Sequence, residues 1–251
     1  MIAALKRHLR QIIRRLGYEV VPGDHVESHA FLRHLDQLFR KLEIQCVLDV
    51  GANRGQYRHL LRDRLGYQGL IISFEPIAEH VASLRAQAAG DPRWVIRDHA
   101  LGAEDTAMDI NVMNADSLSS FLVPDPEMAP MFRPVNVIAR RERVQVRRLD
   151  SVIGELARER PLGNLFLKLD TQGFDLEVIR GAAATLPTVR ALQTEISMQP
   201  LYTNAPSYRE TLDDLTKRGF AVTAMAPIVR DALMRVVEFD CVMVGSAAGG
   251  R

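Results

Sequence analysis

The chain has 251 residues, 47% of them hydrophobic and 25% charged, the composition of a globular protein with room for one large domain. Its 32 lysines and arginines stand against 31 acids, which excludes a basic nucleic-acid footprint spread over the whole fold. No run approaches the roughly 18 uncharged apolar residues of a spanning helix, and the basic start lacks the apolar core of a secretory signal; the cytoplasm is the expected location.

The first predicted element is a basic amphipathic helix over residues 2–16. Leu5, Leu9, Ile12, Ile13 and Leu16 fall at helical spacing among Lys6, Arg7, Arg10, Arg14 and Arg15, and Gly17 stops the pattern. Such a helix can pack on the domain or a second copy in a homodimer, or lie peripherally on an anionic membrane surface. Its basic residues are spread around the axis, which favours packing. A second helix, over 28–42, completes an N-terminal helical extension expected to cover 1–43, with a single α/β domain over 44–251.

Short β-prone runs then alternate with helical patterns, at 45–50, 70–74 and 94–96, as parallel strands with helices on both faces require. From about 106 to 146 the alternation breaks. Residues 108–113 and 143–147 read as exposed or edge strands around a loop with prolines at 124, 126, 130 and 134, an excursion of the kind that usually carries function. Strand and helix resume with strands at 164–169, 189–194, 220–225 and 239–244. Cys46 and Cys241 sit in apolar runs with no second cysteine nearby, so both read as buried thiols.

The chemistry concentrates where the first of these strands runs into Asp49-x-Gly51-x-x-x-Gly55 and a helix. A glycine turn there lets backbone approach a ligand, next to the free N–H groups of a helix start. A dinucleotide fingerprint would need glycine where Asn53 stands, and a P-loop needs a lysine that is absent. The remaining reading is the glycine loop of class I methyltransferases, which cradles the amino-acid part of S-adenosylmethionine. Glu75, at the end of the next strand, is suited to the ribose hydroxyls, and Asp98 with His99 and Ala100 to the adenine. Each of these acids also reads as an ordinary helix cap or solvated turn.

These residues resemble the FkbM family of methyltransferases. The resemblance rests on residues 47–55, on Phe74-Glu75-Pro76, Ala100-Leu101-Gly102 and Val146-Arg147-Arg148-Leu149-Asp150-Ser151, and most specifically on the run from Lys168 to Ala182, with Glu195 beyond it. The family pattern Asp-x-Glu-Gly is replaced here by Asp170-Thr171-Gln172-Gly173, which puts in doubt any role needing a carboxylate at 172. The resemblance implies a class I (Rossmann-like) fold with a mostly parallel seven-stranded sheet, S-adenosyl-L-methionine as cofactor, and O-methylation of hydroxyls on sugars, glycolipids or secondary metabolites. It implies a donor set of Asp49, Gly51, Asn53, Gly55, Gln56, Tyr57, Glu75 and Pro76, with Asp98, His99 and Ala100.

Lys168 and Asp170 are two apart on a strand and so share a face. Lys168, Asp170 and Glu195 are the catalytic candidates. Asp170 can act as base, or with Glu195 hold a Mg²⁺; a simple ion pair ordering the strand ends is the plainer reading. Ser117, Ser119 and Ser120 and Tyr202-Thr203-Asn204 are candidates for the small-molecule or glycan acceptor pocket. His29, His34, His59 and His80 are expected on helix surfaces. A nicotinamide-dependent oxidoreductase and a non-catalytic scaffold of the same fold are the competing functions.

Overall fold

The computed structural model describes residues 26–246. The basic helix expected over 2–16, and any membrane or dimer contact it makes, lies outside them. Among the described residues, ten strands follow one another, first β1 (Ile44–Val50), β2 (Leu70–Phe74), β3 (Trp94–Arg97), β4 (Ala100–Leu101) and β5 (Thr106–Met113). Then come β6 (Ile138–Arg147), β7 (Asn164–Leu169), β8 (Val189–Ser197), β9 (Phe220–Arg230) and β10 (Val236–Gly245). Seven of them form one sheet in the order β3-β2-β1-β7-β8-β10-β9, in which only β10 runs against its neighbours. This is the class I methyltransferase-like α/β sheet that the resemblance implies.

The helices are α1 (Val26–Lys41), α2 (Gln56–His59, continuing as a π-helical stretch Leu60–Arg64), α3 (Ala78–Ala88), α4 (Leu149–Glu159), α5 (Asp175–Gly181) and α6 (Tyr208–Lys217). They cover both sheet faces, and strand alternation decides which residues each face buries. Val47, Phe166 and Val242 point one way, against Leu35, Leu38 and Phe39 of α1 and Leu61 and Leu84 beyond it. Leu48, Leu167, Leu192 and Cys241 point the other way, against Leu149, Val152 and Leu156 of α4 and Val178 and Ile179 of α5. Cys46 and Cys241 are free, buried thiols, as their apolar surroundings suggested. Among the described residues, helix α1 thus packs on the sheet's own core.

The irregular middle of the chain folds into a second, three-stranded sheet in the order β4-β6-β5, with β5 and β6 antiparallel. The proline-bearing segment between β5 and β6 has its own core. Met128, Ala129 and Phe132 are buried with Leu118, Leu201, Tyr202 and Val237. That packing holds the segment over the carboxyl ends of the main sheet, where ligands of open α/β sheets bind.

Candidate functional site

The glycine loop is shaped by its own backbone before any ligand is considered. Gly51, Asn53 and Gly55 all have positive φ, at 81°, 48° and 88°. The N–H groups of Gly51 and Ala52 both donate to the Phe74 carbonyl, at 3.0 and 3.1 Å. A Cβ on Gly51 would overlap the Asp170 carbonyl oxygen, so β1 and β7 can approach this closely only with glycine there. Glu75 is buried, and its two carboxylate oxygens accept from the N–H groups of Asn53 and Ile77 at 2.8 and 2.9 Å. A carboxylate offers about four acceptor positions, so two bonds fix its plane and leave capacity for a ligand.

One level down, a row of polar side chains crosses the sheet. Parallel pairing sets Ser73 beside Asp49, Asp49 beside Lys168 and Lys168 beside Gln193. The Ser73 hydroxyl donates to Asp49 at 2.9 Å, and Lys168 Nζ lies 3.5 Å from Asp49 and 3.1 Å from Asp170. Tyr57 stands above the row, its ring 5.2 Å from Lys168 Nζ and its hydroxyl donating to Gln193 at 2.9 Å. Burial works against the Lys168 charge, but Asp170 and Asp49 outweigh it and hold the ammonium protonated. Burial likewise works against ionising Asp170, and Lys168, with the Gln172 amide, holds its carboxyl below the usual range. Glu195 is driven the other way, well above that range, by burial and then by the charges of Asp170, Glu238 and Asp240.

These groups surround a cavity of about 580 Å³. One wall is Gly51, Asn53, Gln56 and Tyr57; a second is Glu75, Pro76 and Ala100; Lys168, Asp170 and Glu195 form the floor. Residues 49–222 match the family model described as the methyltransferase FkbM domain. The chain belongs to the FkbM methyltransferase family. No curated protein matches the chain in sequence. Among solved structures, an FkbM methyltransferase from Methylobacillus flagellatus KT is similar at 13% identity and a TM-score of 0.49, over 80% of this chain and 44% of that one. This FkbM chain thus spans less than half the length of that relative. Magnesium protoporphyrin IX methyltransferase from Synechocystis PCC 6803, with bound SAM, is similar at 10% identity and a TM-score of 0.47, over 96% and 97% of the two chains. An rRNA methylase from Streptococcus thermophilus is similar at 10% identity and 0.44, over 87% and 96%.

Not every residue expected at the FkbM donor site faces the cavity. Asp49 is fully buried beneath it and meets Lys168 and Ser73, and Gly55 faces Trp94 and Leu84. Asp98 is exposed and paired with Arg85 at 2.7 Å, since a carboxylate in a turn finds the nearest surface cation. His99 lies with Phe74 beside a separate small cavity, its Nε2 buried without a hydrogen-bond partner. Ser117, Ser119 and Ser120 do line the large cavity, whereas Thr203 and Asn204 are exposed and Tyr202 is buried against Gln172.

His80 corrects the expectation of a surface histidine. It is 2% exposed and lines the cavity, with Nδ1 3.5 Å from Glu75 and Nε2 3.4 Å from Asp116. The missed signal is its place in the apolar stripe with Ile77, Val81 and Leu84. Asp116 also receives the Arg54 guanidinium at 2.6 Å, so the segment after β5 is tied to the glycine loop through one carboxylate.

The FkbM site fits S-adenosylmethionine on its own chemistry. Asn53 Oδ1 is a buried acceptor with no donor in a cavity wall, and Glu75 beside it has spare acceptor capacity. A Mg²⁺ bridging Asp170 and Glu195 does not fit the side chains as they stand. The Gln172 Nε2 donates to both, at 2.9 and 2.7 Å, and an amide N–H cannot ligate a metal. Among the described residues, no group of three or more His, Cys, Asp or Glu is arranged to hold a metal ion. Also among them, no helix is long and apolar enough to cross a membrane.

Proposed function

We propose that this chain is an S-adenosylmethionine-dependent O-methyltransferase acting on a hydroxyl of a sugar, glycan, glycolipid or related small metabolite. The observation that carries the reading is Asp170, a carboxylate kept ionised by Lys168 in the floor of a cavity whose wall is the family's glycine loop. Asn53 and Glu75 hold the polar parts of the cofactor, and Gly51 lets the loop lie close over Asp170. When bound, S-adenosylmethionine supplies an electrophilic methyl group on a sulfonium sulfur.

The protein's own task is alignment and proton removal. The walls confine an acceptor oxygen for in-line attack, the main source of acceleration in such a displacement. Asp170 is a weak base, which suits a late proton transfer: the hydroxyl proton becomes acidic as the new C–O bond forms, and a nearby carboxylate takes it. Lys168 keeps that acceptor unprotonated until then. The lining serines at 117, 119 and 120 supply hydrogen-bonding groups matched to a polyhydroxylated acceptor.

The test is transfer of a labelled methyl group to a panel of sugar and lipid-linked glycan acceptors, with the product mapped to oxygen or nitrogen. A methyl ether formed by the wild type and lost in Asp170→Asn supports the reading. Methylation of nitrogen or of nucleic acid, or S-adenosylmethionine binding without turnover on any acceptor, refutes it.

A further inference from the structure

We propose that Gln172 stands where a divalent cation would otherwise join Asp170 to Glu195, and that this site is thereby metal-free by construction of its side chains. Two carboxyl groups converging from the ends of β7 and β8, one of them the ionised Asp170, need a positive or protic partner between them. Here it is one –NH₂ group with two hydrogens, reaching Asp170 Oδ1 at 2.9 Å and Glu195 Oε2 at 2.7 Å. Asp170, facing Lys168, accepts only, which orients the amide with its nitrogen toward the acids.

The rest of the residue is held from behind. Gln172 Oε1 lies 2.9 Å from the hydroxyl of the buried Tyr202, and the Gln172 carbonyl accepts from Ser120 Oγ at 2.7 Å. Its backbone sits at φ 54°, followed by Gly173 at 87°, so the turn itself aims the side chain at the gap. Hard divalent cations take oxygen ligands and reject N–H donors. Glutamate has the same reach, and putting it at 172 replaces the donor by a third carboxylate facing the same gap. The inference rests on the methyltransferase reading only for what the site is used for; the metal chemistry is testable without turnover.

The experiment compares Mn²⁺ binding, by electron paramagnetic resonance and by the Mn²⁺ dependence of thermal unfolding, in chelator-treated wild type, Asp170→Asn, Gln172→Glu and Gln172→Glu/Asp170→Asn. S-adenosylmethionine affinity is measured in parallel. Wild type is expected to show no saturable Mn²⁺ binding through this site and no gain in Tm. Gln172→Glu is expected to bind one Mn²⁺ at least about tenfold more tightly and to gain Tm with it, as an added carboxylate ligand should give. The added Asp170→Asn should remove both effects. Even if Gln172→Glu folds poorly when metal-free, its Mn²⁺-dependent Tm reports the site. Mn²⁺ binding by wild type that Asp170→Asn abolishes would overturn the proposal, as would failure of Gln172→Glu to bind Mn²⁺. Loss of S-adenosylmethionine binding by the wild type would instead refute the proposed function and leave this inference standing.

Discussion

Gly51→Ala separates two costs that a glycine position can carry. The φ of 81° imposes a left-handed backbone on an L-residue, about 1–2 kcal/mol. The new Cβ also overlaps the Asp170 carbonyl oxygen and comes within 2.9 Å of its carbon, both backbone atoms that cannot rotate away. Forced overpacking of this kind adds about 1–3 kcal/mol, for a total of about 2–5. Gly66 is the internal control: its φ is 68°, but a Cβ there meets nothing within 4 Å, so Gly66→Ala carries only the first cost. In a chain of this size each kcal/mol lowers Tm by about 2–4 °C, so Gly51→Ala should melt about 4–20 °C lower and Gly66→Ala about 2–8 °C lower. Calorimetry or denaturant titration of the two variants side by side gives the difference. Equal destabilisation of the two would refute the claim that the Asp170 backbone, rather than φ alone, demands glycine at 51.

Asp170→Asn should keep S-adenosylmethionine affinity and lose about 10²-fold or more in turnover; wild-type turnover would exclude Asp170 as the base. Glu75→Gln places an amide against the Asn53 and Ile77 N–H groups, and should weaken cofactor binding at least about tenfold, given about 1.5–3 kcal/mol per charged hydrogen bond. Unchanged calorimetric binding in a folded variant would remove Glu75 from the donor site. Burial works against charging His80, but the Glu75 contact, then the charge of Asp116, outweighs it and raises its pKa. A group with a raised folded value stabilises fully below its unfolded pKa of about 6.5, and loses that contribution as pH rises through the folded value. Wild-type denaturation midpoints should therefore fall relative to His80→Gln across that window, and parallel pH profiles would show that His80 contributes no charge there.

The parts legible in the sequence were those carried by local pattern. The strands of the main sheet follow from short apolar runs bounded by Gly, Asp and Glu, and the strand-end acids fell at the carboxyl edge because parallel β–α units put them there. What escaped depended on distant partners. His80 looked polar on a helix, but its buried setting is made by Glu75 and by Asp116, 36 positions away in the chain by numbering. Strand β8 runs on past Thr194 because Glu195 and Ser197 pair with β10, and their polarity hid the continuation. Asp98 had the right position after its strand, yet Arg85 of α3 draws it outward. The amphipathic stripe of helix α1 does not itself say which surface it covers, and its contact with Val47 and Phe166 is a matter of tertiary packing.

The row from Ser73 through Asp49 and Lys168 to Gln193 also bears on how the chain finds its native pairing. A strand slipped by one residue turns its side chains to the opposite face. For β7 that would carry the Lys168 ammonium in against Leu48 of β1 and Leu192 of β8, with no carboxylate to meet it. An unpaired charge in hydrocarbon costs several kcal/mol, a large share of the whole stability of a domain. The lysine that holds Asp170 ionised thus doubles as an indexing pin. Removing its charge should loosen the fidelity of assembly as well as the chemistry.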